Sequence, residues 1–267
     1  MKTFLSAVQF LTILPVPDPG WEAGRMDRAA AWFPLVGALV GVLAGLVATV
    51  AAGVPSRVPV VSGGLLAFVV IVVVTGGLHE DGLADVADGM GARTRERRFE
   101  IMRDSRIGTF GALALIVMVM VRVPTLDATA LLVTPSSFKL SDGLGGHTLV
   151  LSLVAGLAAA CAAARAGMLA LIWTLPYARE EAAPIGPPDA QRVGTSATLL
   201  GLAVAPLAAL TSPLVAGAAL GSAALTSLAC ILFFRRTLGG WTGDAAGATC
   251  VLCEVAFLTG ALAARWN

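Results

Sequence analysis

The chain has 267 residues, 57% hydrophobic and 13% charged, with a formal net charge of +1 and a mean hydropathy of +0.85. Soluble domains carry about 45–50% apolar and about 25% charged residues, so this composition excludes a soluble globular domain, and with it disorder, a disulfide scaffold and a charge-driven nucleic-acid binder. The reading is an all-α polytopic integral membrane bundle of about seven spans, a single transmembrane domain over residues 1–267, since seven spans of about 20 residues use roughly half the chain.

In chain order, the mostly apolar stretch from Phe4 to Leu14 resembles a signal h-region. It lacks a small-x-small cleavage site and runs into Pro15, Pro17 and Pro19. At about 11 residues it is too short to cross a bilayer, which predicts a short N-terminal interfacial or re-entrant helix. Apolar runs follow at 29–52, 58–78, 107–123, 147–175, 197–211, 213–234 and 247–264, the fifth short and interrupted by Pro206. Within the first, Gly37, Gly41 and Gly45 recur every fourth residue, a smooth strip for close helix packing. Cys161, Cys230, Cys250 and Cys253 all lie in apolar sequence. Cys250 and Cys253 form a CxxC, which reads as buried small hydrophobes ahead of a redox or metal pair.

Basic residues set the expected orientation. With 89–106 cytoplasmic, alternating spans place Lys2, Arg25, Arg28, Arg93, Arg95, Arg97, Arg98, Arg103, Arg106, Arg179, Arg192, Arg235 and Arg236 on that side, 13 of 18 basic residues. Arg57, Lys139 and Arg265 fall outside, Arg122 near the outer end of a span and Arg165 within one. The acidic segment after the second run and the loops 176–196 and 235–246 then share the cytoplasmic face.

The densest polar segment runs from Thr75 to Gly111. Asp81, Asp85 and Asp88 are spaced i, i+4, i+7, which on a helix places them within about 60° of one another. Hard carboxylate oxygens without Cys or His partners suit Mg²⁺ or Mn²⁺; a solvated helix entry is the competing reading. Position favours chemistry, because ionisable groups abutting a span are expensive. His79 and Glu80 precede the stripe, Glu80 pointing about 100° from Asp81 as a supporting group or general base. Downstream, Arg103 and Arg106 bracket Asp104 and suit phosphate binding, whereas Arg93, Arg95, Arg97 and Arg98 read as ordinary loop charges. A third cluster supplies Thr242 and Asp244, with Glu254 nearly three helical turns further on. Glu254 needs a partner in the membrane, for which Arg165 is the natural candidate.

At these residues the sequence resembles the cobalamin synthase family, the adenosylcobinamide-GDP ribazoletransferases. The likeness runs from FLTILPVP and WFPLVGALVG through GGLHEDGLADVADG, EIMRDSRIGTFG and LPYARE to LGGWTGDAAGA, nearly the whole chain. It implies an all-helical enzyme of the bacterial cytoplasmic (inner) membrane. In the implied reaction the ribose 3′-hydroxyl of α-ribazole, or of its 5′-phosphate, attacks the cobinamide-linked phosphate of adenosylcobinamide-GDP and releases GMP, with Mg²⁺ as cofactor. Combined with the residue chemistry, this gives Asp81, Asp85 and Asp88 as metal ligands and Glu80, Asp88, Asp104 and Asp244 as catalytic candidates. His79, Arg103, Arg106, Arg165 and Thr242 are expected to bind substrate. Expected partners are the two substrates and membrane lipid, with no nucleic acid and with homo-oligomerisation left open. Two alternatives stand beside it. The DGxADxxDG pattern is similar to the acidic motif of CDP-alcohol phosphotransferases of phospholipid synthesis, with Asp85 where that family has arginine, and a transporter would use the stripe as a cation site.

Overall fold

The computed structural model describes residues 2–18, 20, 22–53, 62–132, 145–179, 183–186 and 188–266; the expectations attached to Pro19, Arg57 and Lys139 lie outside them. In chain order the α-helices are α1 (Lys2–Leu11), α2 (Arg25–Ala30), α3 (Phe33–Gly53), α4 (Gly63–Thr75), α5 (Leu78–Met90), α6 (Arg95–Met102), α7 (Thr109–Ala128), α8 (Gly145–Thr174), α9 (Ala190–Leu210), α10 (Pro213–Thr237) and α11 (Gly243–Arg265). Six of them, α3 and α7 to α11, are long and apolar enough to cross a membrane, and a seventh crossing results if the bent pair α4 and α5 counts as one span. The chain is thus a polytopic helical membrane protein.

The second apolar run departs from expectation. Its helix, α4, has 13 residues, about 20 Å at 1.5 Å per residue against a hydrocarbon core of about 30 Å. The chain then turns by 88° into α5. Gly76 and Gly77 make the turn at φ +67° and +70°, the left-handed region where a Cβ is penalised. Apolarity alone did not reveal this break, because the residues before it remain uniformly hydrophobic. The fifth run differs in the opposite sense: α9 starts at Ala190 within the expected loop 176–196, where the Asp189 side chain accepts from the Arg192 N–H at 2.8 Å, a helix-capping contact.

The helix α8 is the hub. Of its segment Leu153–Thr174, 89% is buried, against 17% of α9. Its neighbour α3 lies close because Gly37, Gly41 and Gly45 face its backbone; a Cβ on Gly45 would sit 2.7 Å from Val154 Cα, and one on Gly41 equally close to Ala158 Cα. The expected small-residue strip therefore exists and seats α3. At one end of the bundle, Ala7, Val8 and Leu11 of α1 are buried in a cluster with Phe33, Leu171, Phe234 and Trp241. Beyond α1, the Ile13 N–H donates to the Val74 carbonyl at 2.9 Å, tying the N-terminal strap to the turn between α4 and α5. All four cysteines are free and buried.

Candidate active site

Three of the sequence clusters converge because their loops interlock. The Ala178 N–H donates to the Trp241 carbonyl and the Trp241 N–H to the Pro176 carbonyl, both at 2.9 Å, while Tyr177 and Trp241 meet edge to face at 4.8 Å. Nearby, Arg179 pairs with Asp244 at 2.8 Å. In turn α11 packs onto α5 at close range: a Cβ on Gly82 would lie 2.7 Å from the Asp244 carbonyl oxygen, and Gly247 faces the backbone of His79. Glycine at these two contacts is what lets Asp244 approach the acidic face of α5.

That face carries Asp81, exposed, and Asp85 and Asp88, both partly buried. Asp81 and Asp85 accept no hydrogen bond among the described residues, and Asp81, Asp88 and Asp244 all act electrostatically on Asp85. Asp88 is differently employed. Its two oxygens accept the Gly108 N–H at 2.7 Å and the Gly111 N–H at 2.8 Å, capping the otherwise unpaired amides at the start of α7. Gly111 has no room for a side chain there, since a Cβ would lie 3.0 Å from Asp88 Cγ. The glycines of IGTFG thus serve the carboxylate 20 and 23 residues before them.

A cavity of about 820 Å³ opens beside this face. Asp81 and Asp85 line one wall, Arg103, Asp104, Ser105 and Arg106 another, and Phe10, Thr12 and Ile13 of the N-terminal strap a third. Asp104 and Arg106 form an exposed fork, with Arg106 Nη2 2.6 Å from Asp104 Oδ2 and Nε 3.0 Å from Oδ1. The Arg106 side chain, then its backbone N–H, hold the Asp104 carboxyl down at about 2. Asp104 therefore stays ionised at any physiological pH, and its acceptor capacity is already engaged.

The remaining expected site residues are elsewhere. Thr242 is buried and caps α11, its hydroxyl accepting from the Ala245 N–H at 3.1 Å. His79 is buried against α11, its Nε2 with no hydrogen-bond partner among the described residues. Glu80 turns inward to Arg122. Arg165 is 1% exposed, and none of Thr242, His79, Glu80 or Arg165 lines the cavity. Glu254 finds its main partner not in Arg165, at 3.7 Å, but in Arg122, at 2.8 Å. Arg122, which the topology places near the outer end of a span, is in fact 2% exposed among the carboxylates. Two arginines read as loop charges also have defined tasks: Arg98 donates to the Thr237 carbonyl at the end of α10 and Arg95 to Ala178. The sequence reading missed the strap as a cavity wall. No residue type in that stretch marked it, because Phe10 and Ile13 are apolar and the Thr12 hydroxyl donates to the Val8 carbonyl at 2.7 Å.

Among the described residues no group of three or more His, Cys, Asp or Glu side chains is arranged to hold an ion by itself. The cavity instead combines two hard carboxylates, Asp81 and Asp85, that accept no hydrogen bond among the described residues, with arginines suited to phosphate, an arrangement able to bind a polyphosphate together with a divalent cation.

Comparison with known proteins points the same way. A family model described as CobS, cobalamin-5-phosphate synthase, matches residues 3–262. Among relatives named adenosylcobinamide-GDP ribazoletransferase, one from Leptothrix cholodnii is 40% identical over 275 residues, covering 99% of this chain and 96% of its own. One from Azorhizobium caulinodans is 38% identical over 267 residues, covering 96% and 94%, and one from Escherichia coli strain K12 is 38% identical over 267 residues, covering 96% and 98%. No solved structure matches the chain.

Proposed function

The chain belongs to the cobalamin-5-phosphate synthase family, and we propose that it catalyses the adenosylcobinamide-GDP ribazoletransferase reaction in the cavity between α5, the α6–α7 loop and the N-terminal strap. The 3′-hydroxyl oxygen of α-ribazole, or of its 5′-phosphate, forms a bond to the cobinamide-linked phosphorus. The bridge to the second phosphate breaks and GMP leaves, giving the cobalamin or its 5′-phosphate. The hydroxyl proton passes to one of the carboxylates around the cavity.

The observation that carries this reading is the wall formed by Asp81 and Asp85, two carboxylates with no hydrogen-bonding partner among the described residues, in the same cavity as Arg103 and Arg106. Such like charges need a cation, and the donor set suits Mg²⁺. This ion is commonly held by one or two carboxylates together with substrate phosphates and water rather than by a complete protein cage. Asp81 and Asp85 would hold it, with Asp244, paired to Arg179, acting on Asp85 electrostatically. Bound there, it would supply neutralisation of charge developing on the phosphates. Asp88 holds the start of α7 through Gly108 and Gly111, and Arg106, its Nε–Nη2 edge held by Asp104, has its Nη1–Nη2 edge left for a phosphate.

The orientation we propose is a multi-pass protein of the bacterial cytoplasmic membrane with the cavity on the cytoplasmic side. In support, Arg103 and Arg106 line the cavity, while Arg95, Arg98 and Arg179 bind Ala178, Thr237 and Asp244 in the interlocked loops, in keeping with the bias of positive charge toward the cytoplasm.

Purified protein in detergent is expected to release GMP, and not CMP from CDP-alcohol substrates, only when adenosylcobinamide-GDP, α-ribazole and Mg²⁺ are all present. The variants Asp81→Asn and Asp85→Asn are expected to lose on the order of 10²–10³-fold in rate with unchanged thermal unfolding. Full turnover in both variants would remove these carboxylates from the mechanism, and nucleotide-independent cation flux in proteoliposomes would favour transport.

A further inference from the structure

Four charges from four helices meet in the interior: Glu80 of α5, Arg122 of α7, Arg165 of α8 and Glu254 of α11. Their residue exposures are 9%, 2%, 1% and 1%. Arg122 is the centre. One guanidinium nitrogen pairs with Glu80, while Nη2 and Nε lie 2.8 and 2.9 Å from a single oxygen of Glu254. The guanidinium also stands 5.3 Å from the centre of the Phe68 ring on α4. Arg122 therefore touches both arms of the 88° bend, α4 through Phe68 and α5 through Glu80, and anchors them to α11.

Stability alone is a poor reason for this arrangement, because a buried ion pair frequently stabilises no better than apolar side chains of the same volume. Fixing one geometry among several is something it does well. The bend needs fixing, since the two left-handed glycines allow the backbone to turn without specifying how α5 lies. Rotation of α5 matters for the chemistry: Glu80 and Asp81 are consecutive, hence about 100° apart around the helix. With Glu80 held inward, Asp81 is turned to the cavity and Asp85 lies one turn further along the same side.

We propose that Arg122 is a positioning residue for the reaction: by gripping Glu80 across the bend it sets the rotation and seating of α5, and with them the direction in which Asp81 and Asp85 face the cavity. The inference rests on the proposed role of those two carboxylates, but the geometry it asserts can be measured without turnover. Spin labels introduced at Ala87→Cys on α5 and Leu225→Cys on α10, with the four native cysteines buried, report the seating of α5 directly. In Arg122→Gln the interlabel distance distribution is expected to shift or broaden, and the Mg²⁺ concentration for half-maximal GMP release to rise about 10-fold or more, the range seen when a supporting partner of a metal ligand is lost. Arg122→Lys, which retains the charge, should recover much of both. Glu80→Gln added to Arg122→Gln should cost little more than the single change, because both break the same pair.

If Arg122→Gln lowers the unfolding temperature but leaves the label distances and the Mg²⁺ half-saturation at wild-type values, Arg122 is structural filling and the proposal is overturned. If Arg122→Gln does not fold, Arg122→Lys and the isosteric Glu80→Gln carry the same two readouts, and unchanged distances in both overturn it equally. Wild-type protein that releases no GMP would sink the functional reading, while the label distances would still decide whether Arg122 seats α5.

Discussion

Two charged regions lie on adjacent faces of α5 and use the same residue types to opposite ends. Toward the cavity, Asp81 and Asp85 accept no hydrogen bond from the described protein. Toward the interior, Glu80 joins Arg122, Arg165 and Glu254 in a set of two positive and two negative charges shielded from solvent. One position separates Glu80 from Asp81, and that 100° of helix rotation decides which carboxylate meets a partner supplied by the protein and which is left for a ligand. Residue type therefore does not define the active site; unspent acceptor capacity next to an opening does.

The contrast breaks most sharply in the interior. Glu254→Ala leaves Arg122 and Arg165 without their shared carboxylate, and removal of one partner from a buried pair costs about 3–5 kcal/mol. Thermal unfolding in detergent should show a large drop, or the protein should fail to accumulate. A smaller effect is expected at the seam between the regions. Gly82→Ala would place a Cβ 2.7 Å from the Asp244 carbonyl oxygen, a backbone atom that cannot rotate away, so α5 must lift from α11. Overpacking of this kind costs about 1–3 kcal/mol, and activity should fall further than stability because Asp244 moves relative to Asp81 and Asp85. On the cavity side, Arg106→Lys keeps the charge and loses the fork toward Asp104 and phosphate. The expected result is about a 10-fold higher KM for the nucleotide substrate with folding unchanged, read from steady-state GMP release.

The least effect is expected outside both regions. Arg97 pairs with Glu100 at 2.7 Å on the exposed surface of α6, an interaction worth about 0–1 kcal/mol. Arg97→Ala should leave the unfolding temperature essentially unchanged and alter the rate by no more than about two-fold. A large loss there would show that the exposed arginines of α6 take part in binding after all.

Much of this was readable in advance, for identifiable reasons. Seven apolar runs gave the helices because burial in lipid demands long uninterrupted hydrophobicity. Period-four glycines gave the contact between α3 and α8 because close helix approach excludes side chains. The acidic face of α5 followed from its spacing. What the sequence concealed are relations between distant elements. Asp88 looked equivalent to Asp81 and Asp85, and only the return of Gly108 and Gly111 to its side shows how its oxygens are used. Arg122 looked peripheral because depth along one helix says nothing of partners that come from three others. Thr242, legible as a polar residue in a conspicuous motif, is a helix cap, a role that any such residue before a helix can fill.

The seating of α5 on the last helix has a consequence for biogenesis. Gly82 rests on Asp244 and His79 on Gly247, contacts between a segment made in the first third of the chain and one made near its end. While the nascent chain lacks α11, α5 has neither the Asp244 backbone nor Gly247 to dock against, so the proposed catalytic wall cannot assemble in the order in which it is synthesised. The enzyme is completed from its C-terminal end, and a chain arrested before α11 would be inserted in the membrane yet inactive.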